Sequence, residues 1–190
     1  MPGRWLEELR RRPIIAALRD PADLPAALEA GVAVVFVLAG TLFDVREVAA
    51  RCREAGRWCL VHVDLVEGVG KDAAGIRWLA EEARVHGILT TRSHLVREAK
   101  KQGLAAVQRV FLLDSESLRT AVGVVESAQP DAVEVMPGLV VPLIRDRLPF
   151  HRWPPVIAGG LVQEREEAER VLATPVVGVS ASTRYLWSLH

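Results

Sequence analysis

Eight short apolar runs, each followed by a stretch of helical composition, set the tightest limit on how this chain can fold. Residues 14–18 form the first run. Residues 21–30 form the helix after it, with Asp20 placed to cap, a proline in the first turn and Gly31 as the stop. Residues 32–38 are almost all β-branched or large and apolar, as a strand buried on both faces requires, and residues 44–55 come next as a helix ended by Gly56. The rhythm continues through strands at 58–64, 87–90, 104–112 and 131–135. Their helices are expected at 74–83, at 93–102 with Ser93 as cap and Gly103 as stop, at 115–127, and as a short piece after Gly138. The seventh and eighth runs are 155–157 and 175–177, with a Glu/Arg-rich helix at 163–172 between them and a last helical turn through 183–187.

Eight βα units with short connections predict a compact (β/α)8 TIM-type barrel, a single domain over residues 1–190 with short loops. A doubly wound open sheet would carry a Gly-rich turn after its first strand, and Arg19-Asp20-Pro21 is not one. Half the residues are apolar and a quarter charged, a soluble globular balance, and the formal net charge of zero announces no nucleic-acid partner in bulk. Cys52 and Cys59 are too few and too close for a disulfide framework, and no leader or membrane span is legible. The expectation is a cytoplasmic protein.

Function in a barrel concentrates where strands end, so those positions carry the candidate site. The two Gly/Ser/Ala clusters near the C-terminus, Ala158-Gly159-Gly160-Leu161 and Gly178-Val179-Ser180-Ala181-Ser182, each come after an apolar run and precede helical sequence. Read as strand-to-helix turns, they offer unobstructed backbone amides to a phosphate at a helix N-terminus, with Gly159, Gly160, Ser180, Ala181 and Ser182 as the binding set. The bland alternative is two tight turns and nothing more. His62 and Asp64 fall two apart on one strand, Glu67 and Lys71 lie in its loop, and Arg19, Arg92, Arg109 and Glu134 stand at or near other strand ends. Unpaired charge is costly inside a barrel, so these groups either grip a small polyol or form an ion-pair network at the barrel end. For His62 a hydrogen-bonded core position competes with ligand contact. Arg109 alternates with Gln108, so only one of the two can face inward.

Several chemistries are not supported. A Schiff-base aldolase needs a strand lysine, and Lys71, Lys100 and Lys101 all fall outside predicted strands. No His/Cys/Asp grouping has metal-ligand spacing, and neither Ser180 nor Ser182 has an identifiable base nearby in sequence. No catalytic residue and no metal site is therefore assigned.

Taken in order, Ile14-Ile-Ala-Ala-Leu-Arg19, Val61-His-Val-Asp-Leu-Val-Glu-Gly68, Thr90-Thr-Arg-Ser93, Gln108-Arg-Val-Phe-Leu-Leu-Asp114, Asp131-Ala-Val-Glu-Val-Met-Pro-Gly138 and Ile157-Ala-Gly-Gly160 resemble the glycerol-3-phosphate-responsive antiterminators. The resemblance spans nearly the whole chain. It implies a regulatory barrel, not an enzyme, whose ligand is glycerol-3-phosphate and which needs no cofactor. The loaded protein would engage leader mRNA so that transcription of glycerol-utilisation genes passes a terminator. By that likeness Gly159, Gly160, Ser180 and Ser182 take the phosphate, Asp64, Glu67 and Glu134 the glycerol end, and Arg19, Arg92 and Arg109 surround the mouth. Two positions depart from the family pattern: Thr41, where an aspartate is common, and Pro142, where a lysine is expected. The alternative function is a TIM-barrel enzyme acting on a small phosphorylated substrate, with Asp64 and Glu134 as acid and base.

An RNA contact has thinner support in the residues themselves. Arg10, Arg11 and Arg12, Arg51 and Arg53, and Lys100 and Lys101 form basic clusters of the kind that are often solvated helix faces. The tryptophans Trp5, Trp78, Trp153 and Trp187 can stack on bases, pack the barrel wall or form a homo-oligomer contact.

Overall fold

The computed structural model describes residues 3–189. Its centre is a closed barrel of eight parallel strands in chain order, β1 (Ile14–Leu18), β2 (Val34–Val37), β3 (Trp58–His62), β4 (Gly87–Thr90), β5 (Ala105–Phe111), β6 (Ala132–Met136), β7 (Val156–Gly159) and β8 (Gly178–Ala181), with β8 returning to pair with β1. Alternation splits the apolar residues into two layers. Ile15, Val34, Phe36, Leu60, Leu89 and Ile157 fill the barrel, while Val35, Val37, Val61, Ile88, Val135 and Val179 pack outward beneath the helices.

The outer ring comprises α2 (Leu24–Glu29), α3 (Leu42–Glu54), α4 (Ala73–Glu81), α5 (Ser93–Lys101), α6 (Ser115–Ala128), α7 (Val141–Ile144) and α8 (Arg165–Leu172). Asp20 accepts from the amide of Ala22 and opens a 3-10 turn ahead of α2. Thr41 forms a reciprocal capping box with Asp44 at the start of α3, so the residue that departs from the family pattern has a local structural use. Ser93 is not the cap of α5. Arg92 holds that position and its amide donates to the Thr90 hydroxyl instead.

One helix was not legible as part of the barrel. Arg4–Arg11, α1, turns Trp5, Leu6 and Leu9 into the lower end of the barrel core and leaves Glu7, Arg10 and Arg11 in solvent. The helix lies so close beneath β8 that a Cβ on Gly178 would stand 2.8 Å from both Leu9 Cδ1 and the Pro13 carbonyl. Gly178 therefore belongs to the closed end of the barrel and not to a ligand turn. Trp153 and Trp187 are buried in the wall, where the Trp187 indole donates to the Ala181 carbonyl at 2.8 Å.

Candidate functional site

All strand C-termini meet at one end, and the polar residues of the barrel interior are stacked just below it. Arg109 of β5 and Glu134 of β6 are register partners, both on the inner face, and Gln108 faces outward. The Arg109 Nε donates to Glu134 Oε2 at 2.6 Å, and the Ser180 hydroxyl donates to Glu134 Oε1 at 2.6 Å from two strands away. Gly159 of β7 makes that span feasible, since a Cβ there would lie 2.5 Å from both the Glu134 oxygen and the Ser180 hydroxyl. Glu134 is fully buried, and a carboxylate in that position needs both its counter-charge and its second hydrogen bond.

His62 stands on the inner face of β3, 2% exposed, with Nδ1 lacking a hydrogen bond and lying 3.8 Å from Asp64 Oδ2. Burial, then the nearby Arg109 charge, lowers its pKa to about 4 despite the opposing pull of Asp64, so the ring is neutral at neutral pH. Asp64 lies just beyond the end of β3. Its Oδ2 accepts from the Thr90 hydroxyl and the Thr91 amide, each at 2.9 Å, and its Oδ1 from Arg92 Nε at 2.9 Å. Burial works to raise this carboxyl, but the bonds from Thr91 and Thr90, with His62 and Arg92, overcome it and hold the pKa below the usual aspartate value. Asp64 thus ties the β4–α5 loop to the end of β3.

Above this layer opens a cavity of about 720 Å³. Arg109 and Ser180 form its floor, and Arg19, Gly160, Ala181, Ser182 and Thr183 line its wall. Arg109 is only 7% exposed, and among the described residues its two terminal nitrogens donate to no protein acceptor. The amides of Gly160, Leu161, Val162, Ser182 and Thr183 likewise donate to no acceptor among the described residues. Gly160 and Leu161 turn through the left-handed region, with φ of +81° and +61°, which glycine accepts freely.

This geometry corrects the two turns read from the sequence. Gly159, Ser180 and Ala181 are strand residues, and the turns begin at Gly160 and Ser182. The Ser180 hydroxyl is committed to Glu134. The N-terminal amides ahead of α8, those of Gln163 and Glu164, are held by the chain's own Glu167 carboxylate, and β8 leads only into a five-residue 3-10 segment, Arg184–Ser188. Helix-terminus attraction is therefore not what this end of the barrel offers. Free turn amides and a buried guanidinium are.

The remaining candidates are more scattered. Glu67 is exposed, and its backbone joins that of Gly40 and Leu42. Lys71 is exposed, Arg92 is half exposed, and neither lines the cavity. Of the basic clusters, Arg12 donates to the Gly31 carbonyl, Arg53 to those of Ala83 and Arg84, Lys100 to that of Gln129, and Lys101 pairs with Glu98. Arg10, Arg11 and Arg51 make no ion pair among the described residues. The sequence reading missed the apolar rim, in which Leu38, Leu65, Phe111, Leu113 and Met136 line the same cavity. Their positions at or immediately after strand ends were the available signal.

Fold and site together define a (β/α)8 barrel whose C-terminal mouth holds a cavity lined by a buried guanidinium and unengaged turn amides. Deoxyribose-phosphate aldolase from Aeropyrum pernix shares the fold alone, at 14% identity and a TM-score of 0.71 over 95% of this chain and 94% of that one. The glycerol uptake operon antiterminator regulatory protein of Listeria monocytogenes is 30% identical with a TM-score of 0.84, covering 94% of this chain and 96% of that one. An antiterminator-related protein of Thermotoga maritima is 32% identical with a TM-score of 0.81, covering 94% and 99%. The uncharacterized protein YgcP of Escherichia coli is 30% identical over 97% of this chain and 96% of its own length. Residues 14–187 match the glycerol-3-phosphate responsive antiterminator family, and the chain belongs to it.

Proposed function

We propose that this barrel is a cytoplasmic regulator that binds glycerol-3-phosphate at its C-terminal mouth and, so loaded, binds leader mRNA to promote antitermination of glycerol-utilisation genes. The observation that carries the ligand half is Arg109: a buried guanidinium tethered by one nitrogen to Glu134, with its terminal nitrogens unengaged at the floor of the cavity. A phosphoryl group there gains charge-assisted hydrogen bonds in a partly desolvated site, with the Gly160 and Ser182 amides on the adjacent wall. Family membership supports the regulatory role and the RNA half. The lysines lie in the β3–α4 loop and on α5, so none of them projects into the cavity as an amine for carbonyl chemistry.

Isothermal titration with glycerol-3-phosphate, glycerol and inorganic phosphate tests the sensing claim. Glycerol-3-phosphate is expected to bind most tightly, and equal binding of all three, or none, would remove it. Arg109→Lys keeps a cation for Glu134 but loses the fork, and should weaken binding by roughly 10- to 100-fold.

A further inference from the structure

The cavity is larger and more apolar than a phosphorylated triol requires. Glycerol-3-phosphate has ten heavy atoms; even at water's generous ~30 Å³ for each, it would fill about 300 Å³. That is less than half of the roughly 720 Å³ present.

The lining is also divided by sector. The β7, β8 and β1 ends bring Gln163, Ser182, Thr183, Arg19 and the free turn amides, with Leu161 and Val162 among them. The β2, β3, β5 and β6 ends bring Leu38, Leu65, Phe111, Leu113, Met136 and small apolar neighbours, with Arg109 beneath them. Seven large hydrophobic side chains stay exposed among the described residues, and four of them stand on this cavity: Leu65 at 51%, Phe111 at 50%, Leu113 at 84% and Leu161 at 62%. Scattered exposed leucines need no explanation, but a concentration around one polar floor does.

Building on the glycerol-phosphate reading above, we propose that the site takes a glycerol phosphate carrying one aliphatic substituent, such as a short acyl ester on the hydroxyl far from the phosphate. The phosphate sits over Arg109 and the turn amides, and the chain covers Leu65, Phe111 and Leu113. An aliphatic group is favoured over a nucleobase because the apolar sector supplies no side-chain hydrogen-bonding group beyond Arg109, which the phosphate engages, to satisfy a base edge.

The test is titration of the full chain with glycerol-3-phosphate and with its 1-butanoyl and 1-hexanoyl esters, kept monomeric. Each methylene that enters the apolar sector is expected to tighten binding about three- to four-fold, so the hexanoyl ester should gain at least tenfold over the unacylated compound. Leu113→Ser, at a side chain exposed enough to leave folding intact, should pull that ratio toward one, whereas Leu143→Ser, exposed but off the cavity, should leave it unchanged. Glycerol-3-phosphate binding with no gain from acylation overturns this inference and leaves the glycerol-phosphate reading standing. Binding of the esters alone keeps the inferred ligand class and overturns glycerol-3-phosphate as the signal. Binding of neither overturns both. Retention on vesicles containing phosphatidic acid without binding of the free esters would also overturn it, since the site would then be reading a membrane surface.

Discussion

Glu134 is a carboxylate removed from water, and the residues that make this tolerable come from three other strands: Arg109 on β5, Gly159 on β7 and Ser180 on β8. Their consequences differ in size. Ser180→Ala leaves one carboxylate oxygen without its donor and should cost about 1–3 kcal/mol in denaturant unfolding. Glu134→Ala leaves Arg109 charged and unpaired beneath the pocket and should cost about 3–5 kcal/mol. Gly159→Ala inserts a methyl where two oxygens already stand, so destabilisation of about 1–3 kcal/mol is expected, and a neutral result would contradict the packing described. His62 contributes most of the pH dependence, and His86, whose pKa is lowered by burial and by Arg53, adds to it in the same direction. The folded pKa of His62, about 4, lies below the ordinary 6.5, so between those values the unfolded chain binds more protons than the folded one. Stability should be full above pH 6.5 and fall as pH drops toward 4; the lowered pKa of Asp64 adds its own loss only further down, below the ordinary aspartate value. Unfolding free energy measured from pH 4 to 7 should lose most of this slope in His62→Gln, and an unchanged slope would assign it elsewhere.

At the scale of elements, strand interiors were readable because alternation is strict. Alternation says that only one of Gln108 and Arg109 can face inward, and the β5–β6 register, which sets Arg109 opposite Glu134, shows that it is Arg109. Strand ends were harder. Proline and valine mark 155–157 and 175–177 as strands, yet β7 runs on through Ala158-Gly159 and β8 begins only at Gly178, past the whole 175–177 run, and ends at Ala181; these are residues whose propensity points to turns. They are small because Glu134 crosses above Gly159 and Leu9 packs against Gly178, and those are long-range contacts that no local pattern reports. The first helix, α1, was missed for a different reason: its eight residues are amphipathic, with Trp5, Leu6 and Leu9 on one face, but it precedes the first strand, outside the βα rhythm, and only the open end of a barrel gives that face a partner. Leu9→Ala should therefore behave as a core truncation, costing about 2–5 kcal/mol by thermal or denaturant unfolding. A surface-like effect within about 0.5 kcal/mol would mean that α1 does not close the barrel.

The whole molecule is polarised along the barrel axis, with the apolar face of an amphipathic helix sealing one end and an apolar-rimmed cavity over Arg109 at the other. Zero net charge leaves no global attraction for RNA, so a leader transcript must be held by local cations. Arg10, Arg11 and Arg51 are the members of the basic clusters whose side chains make neither an ion pair nor a hydrogen bond among the described residues, and their joint replacement by glutamine should weaken RNA binding and flatten its salt dependence. If ligand and RNA are coupled, each must tighten the other by the same factor, about 5- to 150-fold for a typical regulator. Filter binding with and without glycerol-3-phosphate, set beside titration of the ligand with and without RNA, measures both sides of that equality.

The most direct measurement is a crystal structure of the chain grown with glycerol-3-phosphate. The phosphoryl oxygens are expected within hydrogen-bonding distance of the Arg109 terminal nitrogens and of the Gly160 and Ser182 amides. A ligand found elsewhere on the barrel, with the Arg109 floor left to solvent, would contradict the assignment of this mouth as the sensing site.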